Sequence, residues 1–140
     1  MTQLQRAKQL LELGGHTLVV CGDGLVHSSD RRGVAPMISF LEQGLPLSGC
    51  AAADKVVGKA TALLFILAGI REVYAVVLSK PAKAALERHG VAVTYGTLTE
   101  RIENRDKTGL CPMEQAVWDI DDPELALAAV KAKLAELRQR

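Results

Sequence analysis

Gly49-Cys50-Ala51-Ala52-Ala53-Asp54-Lys55-Val56-Val57-Gly58-Lys59-Ala60-Thr61-Ala62-Leu63-Leu64-Phe65-Ile66-Leu67-Ala68-Gly69 is the stretch whose reading decides the fold. Small residues up to Asp54 read as a strand, Asp54 as a residue able to cap a helix, and the run to Gly69 as a helix apolar on almost every side. Such a helix has to be buried. On this reading Lys55, Gly58 and Lys59 are spaced three and four apart and share one face of its first turns. Two lysines at i and i+4 repel each other and the positive end of the helix dipole, so something negative is expected beside them. Asp54 supplies part of it, and a bound anion would supply more, since first-turn N–H groups and both ammonium groups would converge on it. Gly58 within a helix costs about 1 kcal/mol relative to Ala, which points to close packing or close approach of a ligand.

Outward from this stretch the chain reads as an alternation of strands and helices. Thr2 to Leu13 is expected as a first helix ended by Gly14-Gly15. Thr17 to Cys21 and Leu25 to Ser28 flank Gly22-Asp23-Gly24 as a hairpin. A polar loop leads into a helix from about Val34 to Gln43 with Pro36 in its first turn. After Gly69, Glu72 to Ser79 is apolar without alternation, as in a strand covered on both faces. A helix opens at Lys80-Pro81 and ends at Gly90, and Val91 to Tyr95 is a further strand. The last helix follows Asp122-Pro123, with Leu125, Ala128, Ala129, Ala132, Leu134 and Leu137 as its apolar side. This rhythm predicts an α/β sheet with right-handed crossovers, in one domain of 140 residues.

Composition narrows the function classes. Hydrophobic residues make up 49% and aromatic residues 4%, so the core is aliphatic. A net charge of +1 and so few stacking aromatics argue against nucleic acid as a partner and against an anionic membrane. Cys21, Cys50 and Cys111 are odd in number and far apart, and with His16, His27 and His89 equally scattered there is neither a disulfide framework nor zinc-ligand spacing. The N-terminus lacks a signal-peptide layout and the apolar run after Lys59 is too short to span a bilayer, so a cytoplasmic protein is expected.

In such a sheet, ligands bind beyond the carboxyl ends of the strands. Three ends are expected, at Ala53-Asp54-Lys55, Leu78-Ser79-Lys80 and Tyr95-Gly96-Thr97, with the turn Arg32-Gly33-Val34-Ala35-Pro36 facing the same crevice. Asp54 is either a plain cap or a ligand-binding or catalytic carboxylate, and Lys55 and Lys59 are either anion contacts or solvated side chains. A second constellation is Asn104-Arg105 with Cys111-Pro112-Met113-Glu114. Cys111 is either the cap of a helix starting at Pro112, with Glu114 completing a capping box, or a thiolate stabilised by the dipole for nucleophilic chemistry. Ser79 is expected to start the helix that follows it, and Trp118 to anchor the C-terminal helices.

On Arg32 to Pro36, Ala53 to Ala60, Asn104-Arg105 and Thr108 to Glu114, the chain resembles the domain-of-unknown-function family numbered eighteen ninety-three. The resemblance implies a cytidine-deaminase-like fold, a three-layer α/β/α sandwich whose mixed sheet combines an N-terminal hairpin with parallel later strands. Zinc deaminases carry H-x-E and P-C-x-x-C at two helix starts. The matching positions here, Gly33 to Pro36 and Asp54 to Lys59, hold neither His nor Cys, so no zinc or other cofactor is expected. The expected function is binding of a small anionic ligand, a nucleotide or nucleotide-sugar, through Arg32, Gly33, Lys55, Gly58, Lys59, Ser79, Asn104, Arg105 and Glu114. The alternatives are an enzyme using Asp54 or Cys111 as base or nucleophile, and a regulatory or scaffold protein without a ligand. A homo-oligomer is expected from the resemblance and from the apolar helix after Lys59, which a small domain has difficulty covering alone.

Overall fold

The computed structural model describes residues 1–104 and 106–139, and Arg105 therefore lies outside the described residues. The elements run α1 (Gln3–Gly14), β1 (Leu18–Gly22), β2 (Leu25–Ser29), α2 (Ala35–Glu42), β3 (Ala51–Val57), α3 (Lys59–Ala68), β4 (Glu72–Ser79), α4 (Lys80–Arg88), β5 (Ala92–Thr99), α5 (Pro112–Val117) and α6 (Pro123–Arg138). The sheet has the order β2-β1-β3-β4-β5. The hairpin pairs antiparallel and joins β3 antiparallel, whereas β3, β4 and β5 run parallel. Successive side chains of a strand point to opposite faces. Val19, Cys21 and Ala53 accordingly pack under α1, and Leu18, Val20 and Ala52 join the core beneath the helices on the other face. Two covered faces explain why all of β1 is buried.

Local chemistry sets most boundaries. Thr2 caps α1 in a capping box with Gln5, and Asp122 accepts from the Glu124 and Leu125 N–H groups at the start of α6. Ser79 caps α4 as expected, accepting from the Ala82 N–H. The buried face of α6 is formed by Ala126 and Val130, with Leu127 and Leu134 against the core, while Leu125 is 62% exposed. The expected stripe through Leu125 is thus rotated. Trp118, expected in the core, is 47% exposed at the C-cap of α5.

The deciding stretch folds with its boundary displaced. Asp54 does not cap a helix. The strand runs on to Val57 because Asp54, Val56 and Val57 pair with Ala75, Val77 and Leu78 of β4, and these ladder hydrogen bonds outweigh the local capping preference. Gly58 is the N-cap of α3 and Lys59 its first residue, so Gly58 is not inside the helix and Lys55 shares no helical face with Lys59. Helix α3 itself is buried from Lys59 to Phe65. It is covered within the chain, since residues of α2, α4 and α6 join it in one core, and its apolar character therefore gives no reason for a partner.

Glu114 of α5 supplies the charge that the start of α3 requires. Its Oε1 accepts from the Lys59 N–H at 2.6 Å and its Oε2 from the Ala60 N–H at 2.8 Å. Two otherwise orphaned donors are satisfied and the dipole meets a carboxylate. The Lys59 ammonium points elsewhere, donating to the Trp118 carbonyl at 2.9 Å and pairing with Asp121 at 3.1 Å. Gly58 permits the clamp. A Cβ there would stand 2.5 Å from Glu114 Oε1 and 2.6 Å from its carboxyl carbon. Gly58→Ala should therefore lower stability in urea unfolding by about 3 kcal/mol, combining overpacking with disturbed charge-assisted hydrogen bonds. Gly109→Ala, where nothing lies within 4 Å of the added carbon, should stay within about 0.5 kcal/mol of the parent. Equal effects at the two positions would contradict the clamp.

Candidate functional site

A crevice of about 510 Å³ opens at the carboxyl end of β3, between the start of α3, the turn before α2 and the segment leading into α5. That volume suits a small molecule. Its floor comes from β3 and α3. Period-two alternation places Asp54 on the same face as Ala52, under the helices, where it is 8% exposed. Thr61, in the first turn of α3, is 5% exposed and lines the same space. Val34, Val56, Ile102 and Met113 supply apolar walls, and Arg32 and Lys55, both exposed, supply positive charge. Cys111 and Glu103 line it from the segment before α5, and Glu114 reaches it from behind the helix start.

The structure brings Arg32, Gly33, Asp54, Lys55, Gly58, Cys111 and Glu114 together at this crevice. Lys59 is not among its lining residues, because its ammonium is committed to Trp118 and Asp121. Ser79 is fully buried at the start of α4, away from the crevice. Asn104 bonds within its own turn, donating to the Thr108 hydroxyl at 3.1 Å and accepting from the Thr108 N–H at 3.0 Å. The expected carboxyl end at Tyr95-Gly96-Thr97 lies inside β5, which continues to Thr99. Gly96 belongs to that strand, where an added Cβ would meet the Val76 carbonyl at 2.9 Å. Cys111 is the N-cap of α5 but forms no side-chain cap bond, and Glu114 crosses to α3 instead of completing a box on its own helix. Thr61 was not singled out by sequence. Its signal is that it interrupts the otherwise apolar run from Ala60 to Ala68.

Burial sets the electrostatics. Desolvation pushes the Asp54 carboxyl up to about 8, against the opposing pull of the Val56 and Lys55 N–H groups. The Val56 contact is long, at 3.4 Å, and stabilises the anion only weakly. Desolvation also raises Glu114 from its ordinary value, opposed by the Ala60 and Lys59 N–H groups and the Lys59 charge. Asp121, exposed and held by Lys59 and then Arg88, is lowered. At neutral pH Asp54 is largely a neutral carboxylic acid, able to donate as well as accept a hydrogen bond. Among the described residues no group of three or more His, Cys, Asp or Glu is placed to hold a metal.

The raised value of Asp54 links folding to pH. The folded state holds its proton from pH 3.8 to about 8, a range in which the unfolded chain has released it, so this contribution is complete at low pH and is lost as pH rises through that window. Asp54→Asn removes the titration while keeping the shape. The stability difference should shift in favour of the variant toward pH 8, by at most about 1.4 kcal/mol per pH unit. Glu114 titrates in both proteins and drops out of the difference. Parallel stability curves for the two proteins would show that Asp54 is ionised in the folded state.

Comparison with known proteins places the chain. Residues 6–134 match the family model described as Domain of unknown function (DUF1893). Among solved structures, the chain is similar to a DUF1893 family protein from Thermotoga maritima, with 27% sequence identity and a TM-score of 0.85 over 95% of this chain and 91% of that one. A looser likeness links it to a diaminohydroxyphosphoribosylaminopyrimidine deaminase/5-amino-6-(5-phosphoribosylamino)uracil reductase from the same organism. That match has 19% identity and a TM-score of 0.44 over 66% of this chain and 34% of that one, and no residue role follows from it. No curated protein matches. With a match spanning nearly its full length and a solved relative of the same topology, the chain belongs to the DUF1893 family.

Proposed function

We propose that the crevice binds a small anionic ligand of nucleotide size, with its ring system between the apolar walls and its phosphate at the mouth on Arg32 and Lys55. The observation that carries this reading is a cavity of about 510 Å³ at the carboxyl end of a parallel strand, with two exposed cations and two polar side chains buried at its floor. The anion is assigned to Arg32 and Lys55 because Glu114 already occupies the start of α3 and Lys59 is turned away. Phosphate contacts from exposed cations are charge-assisted and sensitive to salt.

A second reading is favoured by one observation. Asp54, with its value near 8, lines the crevice together with Cys111. A carboxyl poised near the working pH suits general acid–base catalysis. On that reading Asp54→Asn abolishes turnover while binding survives. Three free cysteines and the absence of any helix long and apolar enough to cross a membrane, among the described residues, support placing the protein in the cytoplasm. A homo-oligomer is supported by β5, an edge strand without a charged residue or proline from Ala92 to Thr99.

Thermal shift with nucleosides and their monophosphates tests the binding reading. Millimolar monophosphates should raise the Tm of the parent more than nucleosides do, since a ligand at about 100 times its Kd adds about 2.7 kcal/mol to stability. In Arg32→Ala/Lys55→Ala that excess should vanish. No shift with either class in the parent would overturn the reading.

A further inference from the structure

We propose that Asp54 and Thr61 together form a recognition edge for the lactam or amidine edge of an uncharged heterocycle bound in the crevice. This rests on the crevice being a ligand site, as read above, and assigns the chemistry of the part of the ligand that enters it. Both side chains line the cavity and are more than nine-tenths buried. Among the described residues the Thr61 hydroxyl has no hydrogen-bond partner. The Asp54 carboxyl meets only backbone N–H groups of its own strand, Val56 N–H reaching Oδ1 at a long 3.4 Å. A hydroxyl that opens on the cavity with no partner among the described residues, beside a buried carboxyl, offers an entering ligand two polar groups to satisfy.

The ligand class follows from the two states of a carboxyl group. An ionised carboxylate only accepts hydrogen bonds, whereas the neutral acid presents a donor and an acceptor side by side. A lactam (N–H beside C=O) or an amidine (N beside NH₂) presents the complementary pair, and two parallel hydrogen bonds result. Thr61 adds a hydroxyl that donates or accepts according to the next ring position. Val34, Val56, Ile102 and Met113 supply the apolar surface that a flat ring requires.

Among the described residues nothing packed on Asp54 forces it to ionise. Its paired neighbours, Leu18 on β1 and Ala75 on β4, are uncharged. From α3 the crevice receives Ala60 and Thr61, from the turn before α2 Arg32, from β3 Lys55, and from the segment before α5 and α5 itself Glu103, Cys111 and Glu114. Arg32 and Lys55 are exposed and screened by solvent. Burial accordingly dominates, and the carboxyl stays protonated through neutral pH. Ionisation at higher pH replaces the donor with a second acceptor and breaks the match.

Ligand-observed NMR with 2-pyridone, a minimal lactam, and N-methyl-2-pyridone, which lacks the N–H, tests the proposal at about pH 6 and about pH 9.5, on either side of the Asp54 titration. The parent should bind 2-pyridone at least about tenfold more tightly than the N-methyl probe at the lower pH, and lose at least about tenfold on going to the higher, as expected for two hydrogen bonds of ordinary strength. Asp54→Asn keeps a donor beside an acceptor and cannot ionise, so it should bind 2-pyridone equally at both. Asp54→Ala should bind at neither. Equal affinity for the two probes, pH-independent binding by the parent, or no binding of 2-pyridone at millimolar concentration overturns the proposal. Nucleoside monophosphates bound normally by Asp54→Ala would leave the crevice reading standing while this one fails.

Discussion

The contact of Glu114 with the first two N–H groups of α3 is the interaction on which the rest of this structure depends. It joins residues 55 and 54 positions apart, through bonds of 2.6 and 2.8 Å, and fills the positive end of a buried helix beside the crevice. Charge-assisted hydrogen bonds of this kind are roughly twice as strong as neutral ones. Without Glu114 the start of α3 would face the crevice with unsatisfied donors, and an anion from solution would be drawn there. With it, that electrostatic seat is filled from within the chain.

Consequences spread from this contact in both directions. Because α5 is fastened to α3, the turn after it brings the Trp118 carbonyl and Asp121 within reach of the Lys59 ammonium, and Arg88 at the end of α4 joins Asp121 at 3.3 Å. The lysine that would otherwise crowd the helix start becomes a tie between α3, the α5–α6 turn and α4. On the crevice side, the segment before α5 is held over β3, so Ile102, Glu103 and Cys111 wall the cavity and help desolvate Asp54. The neutral state of Asp54 is therefore a product of the same packing that neutralises the helix dipole.

The layers of the fold were legible in the sequence because each rests on local patterns: the apolar run ending at Gly69, the Asp-Gly hairpin turn, and the caps Thr2, Ser79 and Asp122. The boundary between β3 and α3 was not legible. Asp54 looks like a cap in isolation, and only pairing with β4 carries the strand three residues further, to Val57. The need for negative charge beside Lys59 could be read from the dipole, and Gly58 could be read as a close approach. That Glu114 meets both needs depends on a contact between residues more than fifty apart, which no local pattern encodes. Asp54, Cys111, Arg32 and Lys55 could be singled out because they flank expected strand and helix ends, and they line the crevice together. Thr61 escaped because a lone hydroxyl in a buried helix has many structural uses.

The central claim is that Glu114 occupies the anion seat of α3. It is tested most directly by removing that side chain and returning a carboxylate from solution, following the urea midpoint of Glu114→Ala and of the parent against sodium acetate, with sodium chloride at equal ionic strength as the control. The account predicts that the variant loses about 3 kcal/mol, the scale of two charge-assisted hydrogen bonds, and regains part of it with acetate but not with chloride, while the parent responds equally to both salts. A variant as stable as the parent, or one that responds to acetate no more than to chloride, would contradict it.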